Sequence, residues 1–578
     1  MVTDRSSLRL FVLRVLVVAL LATLLGRLWF LQVHAADDYE RAAVDNRTRE
    51  VVMPAPRGEV LDARGTPLVR NRTALVVSVS RSQLLALPDD GREVLQRLSE
   101  VVEVPAKALS KQITPCGGKV APPCWRGSPY QPVPVAEYDA SDREGLLRVL
   151  RIEERREDFP GVSSQYAAVR DYPSGTLAAH VLGYLGPIST DEVGTEQYAG
   201  VQPTALVGRA GVEATYDDAL RGRDGVEQLL VDRVGTVTGT RGATRPVPGS
   251  TLVLSLDAKV QRVAEQALQR AVDRARARPA RGGGGMLRAD SGSVVVLEAK
   301  TGRVVAMASY PSYDPSVFVG GASPAEYAEL VDEQRGAPLV FRAIQGAYAP
   351  ASTFKVVSAA AAVDSGDYPL SGRYDCPGVY GPTGQRNFDS AALGTIDLRT
   401  ALVKSCDTVF YRFAYEQWLR DGGNRPVARP KDPMVRMAQG FGLGERTGVD
   451  LPSERRGTIA DRGYKQRLWE QTKDERCTGD SRADREYCAD GNRFRGGDAT
   501  NFAIGQGDTL VTPLQLATLY AAIANGGDLL EPHVGRALLA PDGTVSEIPP
   551  QVRARVPVDR DLLGFLRDAL AGVTQPGG

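Results

Sequence analysis

The chain has 578 residues, 43% of them hydrophobic, with 70 basic and 70 acidic side chains for a formal net charge of zero. This length suggests about three or four domain-sized units, the apolar content suffices for real cores, and the charge balance removes the electrostatic case for a nucleic-acid partner. A histidine triad would have to draw on His34, His180 or His533. No Gly-x-Ser-x-Gly, Cys-x-x-Cys, His-Glu-x-x-His or phosphate-loop pattern occurs, so neither a metal nor a cofactor is expected.

Leu8 to Val33 is mostly apolar, interrupted by Arg9, Arg14 and Arg27. Arg5, Arg9 and Arg14 mark one end, and Asp37, Asp38 and Glu40 follow the other. The positive-inside rule then places residues 1–8 in the cytoplasm and the chain beyond the 9–33 anchor outside. A cleaved signal peptide ending near Val33-His34-Ala35 is the rival reading. The apolar run Leu28–Val33, continuing past Arg27, favours a retained plasma-membrane anchor. Either way the rest is extracytoplasmic, where cysteines pair. Cys116 and Cys124 flank a Gly/Pro-rich loop, and Cys477 and Cys488 flank a polar one. Both spacings predict local disulfides, each worth about 2–3 kcal/mol. Spacing assigns no partner to Cys376 or Cys406.

Val51–Asn71 reads as strand, turn, strand, with Gly58 and Gly65 at tight turns. Residues 74–80 are β-rich, while 87–112 and 141–157 carry helical periodicity. Residues 208–225 form a glycine-punctuated helical segment around Glu213, Tyr216 and Leu220. A strand at 251–256 and a helix at 260–275 lead into Arg276–Gly285, whose glycine run predicts a flexible surface excursion. Val294–Leu297 and Val304–Ala308 make a hairpin about Lys300-Thr301-Gly302. The stretch from 50 to 245 holds no constellation of reactive residues and reads as a spacer or docking module.

The most informative stretch is Gly346–Lys355, which ends Ser352-Thr353-Phe354-Lys355. Pro350 stops any earlier helix, and Val356 to Val363 predict a buried helix closed by Asp364-Ser365-Gly366. Residues three apart share a face, so the Lys355 amine can sit beside the Ser352 hydroxyl. Burial lowers an amine's pKa, and a serine beside a neutral amine is an activated nucleophile. Alone, the pattern also describes a core helix with a snorkelling lysine. Ser405-Cys406-Asp407 alone reads as a helix cap.

The order of stretches selects the chemistry. Pro56-Arg57-Gly58 through Asp62, Gly208-Arg209-Ala210-Gly211-Val212-Glu213, Ser352–Lys355, Ser405–Asp407, and Gly505-Gln506-Gly507 with Thr512–Gln515 together resemble a class B penicillin-binding protein. The resemblance implies a mixed α/β (α+β) architecture: a transmembrane helix, an elongated pedestal over 34–247, and a transpeptidase domain over 248–578 like that of serine β-lactamases. It also implies peptidoglycan D,D-transpeptidation. Ser352 would be acylated by a stem peptide ending in D-Ala-D-Ala, or by a β-lactam. Lys355 would be its base, Ser405 would relay a proton to the leaving amine, and Asp407 would orient substrate or Lys355. Gly505, Gln506 and Gly507 would line the substrate. A SEDS-type glycosyltransferase is the partner implied for the pedestal. Asp407, where most relatives have Asn, leans towards the elongation-type, penicillin-binding protein 2 branch. Ala351 replaces the family's usual glycine before the nucleophile, which reads as a small change. A serine β-lactamase or D,D-carboxypeptidase, and a non-catalytic β-lactam sensor or scaffold, are the competing readings.

One family motif is absent. No Lys-[Ser/Thr]-Gly follows Gly507, and Lys300-Thr301-Gly302 precedes the nucleophile. The expectation is a copy truncated before that motif, lacking the last strands of its central sheet and, as written, inactive or barely folded in its second domain.

Overall fold

A computed structural model describes residues 5–34, 48–116, 124–125, 132–231, 237–280, 285–425 and 428–577. Helix α1 (Arg5–Trp29) passes into a π-helical turn at Phe30–His34. Its Leu10–His34 stretch, mean hydropathy 2.2, is the one helix among the described residues long and apolar enough to cross a membrane. Asp37, Asp38 and Glu40 lie outside the described residues.

The pedestal follows as β1 (Thr48–Met53), β2 (Val60–Leu61), β3 (Pro67–Val79), α2 (Arg92–Val102), α3 (Ala106–Ile113), β4 (Val133–Asp139), α4 (Arg143–Glu154) and β5 (Val162–Asp171). The helical pattern expected over 87–112 divides in two. Glu103 ends α2 in the left-handed region with φ 58°, and Pro105 caps α3; Val104, the residue before the proline, is kept out of helix. The apolar faces of α2, α3 and α4 close over β3, β4 and β5 through Leu98, Leu109, Val149 and Ile152. Then come α5 (Gly211–Thr215), α6 (Asp217–Arg221), β6 (Gly225–Val231), β7 (Val237–Thr244) and β8 (Thr251–Leu254). Strands β1, β6 and β7 form their own three-stranded sheet.

Beyond β8, α7 (Ala258–Arg276) packs on the hairpin of β9 (Gly292–Leu297) and β10 (Val304–Tyr310). Alternation decides the two faces of this hairpin. Val294, Val296, Ala306 and Ala308 meet Leu268 and Val272 of α7, whereas Val295, Leu297 and Met307 join the cluster holding Leu514 of α13 (Pro513–Asn525). The excursion expected at 276–285 has paired ends, Ala280 to Gly285 and Leu287 to Arg278; residues 281–284 lie outside the described residues. A largely helical lobe surrounds α8 (Lys355–Asp364), with α9 (Leu398–Val403), α10 (Asp407–Arg420), α11 (Pro433–Gly440), α12 (Gly496–Ala503) and α14 (Arg560–Ala571) sharing its core. Strands β11 (Arg373–Cys376) and β12 (Gly394–Asp397) pair at its edge.

The two parts are not beads on a string. With β13 (Gly535–Leu539) and β14 (Val545–Glu547), a seven-stranded sheet runs β14–β13–β8–β2–β3–β4, and β5 also pairs with β3. Strand β8 lies parallel to β2 and antiparallel to β13, so it stitches the pedestal to the end of the second domain. A buried ion cluster braces the pedestal side of this junction. Arg57 Nε lies 2.7 Å from Glu213 Oε2, and its Nη2 lies 2.8 Å from Asp217. Arg170 Nε lies 2.7 Å from the other Glu213 oxygen and donates from Nη1 to the Gly58 carbonyl at 2.7 Å. Glu213 is fully buried. Its two arginines, with their hydrogen bonds, outweigh the penalty of burying its charge and hold its carboxyl below the usual range. The backbone at Gly58 presses so closely on Ser250 that any Cβ there would sit 1.9 Å from the Ser250 carbonyl oxygen. Two motifs distant in sequence, Pro56-Arg57-Gly58 and Gly208–Glu213, thus form one contact.

Removing one partner of such a cluster strands the others in low dielectric. Glu213→Ala is expected to cost about 3–5 kcal/mol, read as a lowered urea midpoint at unchanged slope; a shift below about 1 kcal/mol would show that the cluster does not brace the junction.

Candidate active site

Pro350 (φ −67°, ψ −16°) is followed by a 3-10 turn, Ala351–Phe354, which runs directly into α8. Side chains three apart eclipse in a 3-10 turn, which brings Ser352 and Lys355 together. Helix α8 is buried nearly all round through Val356, Val357 and Ala359 to Ala362. It ends as expected at Asp364, followed by Gly366 at φ 76°. Lys355 opens this helix and is 2% exposed, while Ser352 faces solvent.

The Lys355 amine is surrounded by oxygen. Its Nζ lies 3.2 Å from Ser352 Oγ, 2.7 Å from Ser405 Oγ and 2.8 Å from the Ser405 carbonyl, and it contacts Asp407 Oδ1 directly. Burial and the Asp407 carboxylate oppose one another here. Burial is the larger effect, so the amine is pulled below the ordinary lysine range. The amine also sits where α8 and α10 begin, and the positive ends of two helices disfavour an ammonium. A neutral amine has two N–H groups and one lone pair. Donation to the Ser405 carbonyl and Asp407 leaves that lone pair for a hydroxyl proton.

Ser405 reaches the amine from a strained connection between α9 and α10, with φ 55°, a region costly for a residue with a Cβ. Cys376 and Cys406, left unassigned by spacing, are disulfide-bonded, and the bond falls between Ser405 and Asp407 in sequence. Closing a loop of sequence separation 30 is worth about 3–4 kcal/mol. Asn387, buried beside it, accepts from the Thr408 amide at 3.1 Å and donates to the Pro377 and Ala391 carbonyls at 3.1 and 2.7 Å. The two expected local disulfides, Cys116–Cys124 and Cys477–Cys488, are both present.

The family model for the penicillin binding protein transpeptidase domain matches residues 292–578, and that for the penicillin-binding protein dimerisation domain matches 52–254. The chain belongs to the class B penicillin-binding proteins. It is 29% identical over 554 residues to the peptidoglycan D,D-transpeptidase MrdA of Acinetobacter baumannii, across 93% of this chain and 72% of that one. Against the MrdA of Escherichia coli K12 the figures are 28% over 541 residues, 91% and 74%. A solved structure described as structural coordination of polymerization and crosslinking by a peptidoglycan synthase complex matches at TM-score 0.63 and 28% identity, over 98% of this chain and 84% of that one. A complex between a penicillin-binding protein, PBP2, and MreC from Helicobacter pylori shares the fold at TM-score 0.67 and 22% identity, over 91% and 83%.

In this class B chain the Gly505-Gln506-Gly507 stretch divides in role. Gly505 (φ 64°) backs the nucleophile turn: its carbonyl accepts from the Ala351 amide at 2.9 Å, and a Cβ there would fall 2.6 Å from the Ala351 carbonyl oxygen and 2.7 Å from Phe354 Cβ. Gln506 and Gly507 lie at the surface, with the Gln506 amide donating to the Asn501 carbonyl at 2.9 Å. Asp508, the next residue, pairs with Lys465 at 2.6 Å, and Lys465 also reaches Asp498 at 2.8 Å. This ties the helix Arg462–Arg476 to the rim, a link no motif had flagged. Lys300-Thr301-Gly302 forms the β9–β10 turn and bonds towards His533, which donates its amide to the Gly302 carbonyl at 3.1 Å; it makes no hydrogen bond to Ser352, Lys355, Ser405 or Asp407.

Ala351 is more than a small departure. It adopts φ 51°, where glycine carries no Cβ penalty. Ala351→Gly is therefore expected to gain about 1 kcal/mol, and Gly505→Ala to lose stability through its backbone clash. Urea denaturation of both variants checks this, and a destabilised Ala351→Gly would refute the strain.

Proposed function

We propose that this chain is an elongation-type peptidoglycan D,D-transpeptidase that works through an acyl-enzyme on Ser352. One observation carries the reading: a buried amine shared between an exposed serine hydroxyl and the second-motif Ser405 and Asp407. Lys355 takes the proton of Ser352 as Oγ attacks the penultimate D-Ala carbonyl. The backbone N–H of Ser352 supplies one donor to the oxyanion. Collapse expels D-Ala, whose amine receives a proton through Ser405. The amine of a neighbouring stem peptide then attacks the ester, forming the cross-link and returning the proton to the serine. A β-lactam follows the first half of this path, but its leaving amine stays tethered.

The apolar α1 supports a membrane anchor with the N-terminus cytoplasmic and the catalytic domain outside, a pedestal over 34–247 and a catalytic unit over 248–578. Asp407 in the Ser405–Asp407 stretch favours the elongation role, and the relatives named peptidoglycan D,D-transpeptidase support the reaction. The peptidoglycan synthase complex of a related protein supports a wall-building partner for this chain, which we take to be a SEDS-type glycosyltransferase at the pedestal. A serine β-lactamase or carboxypeptidase would lose its acyl group quickly to water.

The test is acylation of the full-length membrane protein by a fluorescent penicillin. A long-lived adduct on the peptide containing Ser352, abolished in Ser352→Ala, is expected, and such labelling of the 578-residue chain would overturn the expectation that it is inactive as written. An adduct that survives Ser352→Ala, an unlabelled wild type, or rapid hydrolysis would contradict the proposal.

A further inference from the structure

We infer that the Cys376–Cys406 disulfide is a positioning element for acyl transfer, and that oxidation of these two thiols completes the site. The inference rests on the transpeptidase reading and extends it to Cys376, which lies outside the motifs, and to Cys406, the middle residue of the Ser405–Asp407 stretch. Cys406 lies between Ser405, whose Oγ is 2.7 Å from the Lys355 amine, and Asp407, which pairs with that amine. Ser405 is held at φ 55°. A residue with a Cβ leaves that conformation unless its surroundings enforce it.

The disulfide supplies a covalent tie from the β11 edge of the lobe, within its buried core. Cys376 ends β11, which pairs with β12 alone among the described residues. The chain between those strands carries Asn387, which accepts from the Thr408 amide, and Gln385, whose Nε2 donates to Asn501 Oδ1 at 2.8 Å. Asn501 in turn accepts from the Gln506 amide at 2.9 Å. A continuous path therefore runs from Ser405 through the disulfide and the 376–394 loop to Gly505–Gly507. Without the covalent link, the second motif keeps the Cys406 amide bond to the Ala401 carbonyl at 2.9 Å and the Asn387 and Thr408 contacts. Ser405 itself is held by its amide bond to the Leu402 carbonyl at 3.1 Å and by Lys355, which reaches its carbonyl at 2.8 Å and its hydroxyl at 2.7 Å, and that last contact is the one that must rearrange as the proton moves.

Both sulfurs belong to buried residues, 0% and 2% exposed, so the bond forms before the lobe closes. The two thiols give two electrons and two protons to the disulfide of an oxidising thiol oxidoreductase, which leaves as a dithiol while the Cys376–Cys406 bond forms. Such exchange belongs to an extracytoplasmic compartment, so the catalytic geometry is assembled only there.

The experiment compares full-length wild type with Cys376→Ala/Cys406→Ala by stopped-flow acylation with a penicillin, separating the non-covalent dissociation constant from the acylation rate constant. The acylation rate constant is expected to fall about 10²-fold, as for a small misplacement of a reacting group. The dissociation constant should move less than about threefold, and cooperative unfolding should persist. Cys116→Ser/Cys124→Ser, in the pedestal, should match wild type. An unchanged rate constant overturns the inference, and so does a loss that comes with loss of cooperative unfolding, which would make the bond a purely structural cross-link. A wild type that forms no Ser352 adduct overturns the transpeptidase reading itself, a separate result.

Discussion

A buried amine shared between two hydroxyls and a carboxylate governs the catalytic half of this molecule. Lys355 is enclosed where two helices begin, facing a carboxylate that would favour its proton and an apolar surround that disfavours it. Burial prevails because α8 is packed on all sides, and desolvation of an ammonium grows as water is excluded. The core around α8 therefore sets a proton affinity as well as stability. The aspartate is a moderating choice. It orients the amine and offsets part of the desolvation, where an amide would orient it without the charge.

The pedestal meets the same site by a different route. The sheet through β8 joins β2, β3, β4 and β5 of the pedestal to β13, and the buried Arg57–Glu213–Arg170 cluster braces the pedestal side. Asp450 extends the junction, accepting from Tyr216 at 2.5 Å and from the Val534 and Gly535 amides at 2.6 and 2.7 Å. The pedestal and the second domain are thus joined by the β8 ladders and by the Asp450 hydrogen bonds.

Much of this was legible in sequence where the determinant is local. Ser352 and Lys355 are neighbours because three residues of tight helix place them so, and the alanine run predicts burial. The pairing of Cys116 with Cys124 and of Cys477 with Cys488 follows from short loops. The pairing of Cys376 with Cys406 did not, since a strand, a loop and a helix must fold before those sulfurs meet. Arg57 and Glu213 each stood out as parts of motifs, but their contact is a tertiary fact that no periodicity encodes. Ala351 illustrates a third kind of miss. Its identity looked conservative because side-chain size is read easily from sequence, whereas the sign of φ is not. The single helical pattern over 87–112 broke at Pro105, a signal present in the sequence but outvoted by the amphipathic repeat around it.

The account stands or falls on the protonation state of Lys355. Its side chain, 13C-labelled at Cε and assigned through Lys355→Arg, can be titrated directly by NMR in wild type and in Asp407→Asn. The predicted result is a wild-type midpoint below the ordinary lysine range, displaced further down in Asp407→Asn, because the carboxylate that favours the ammonium is gone while burial remains. A wild-type midpoint at or above the ordinary range would mean that the amine is a fixed cation, unable to take the proton of Ser352.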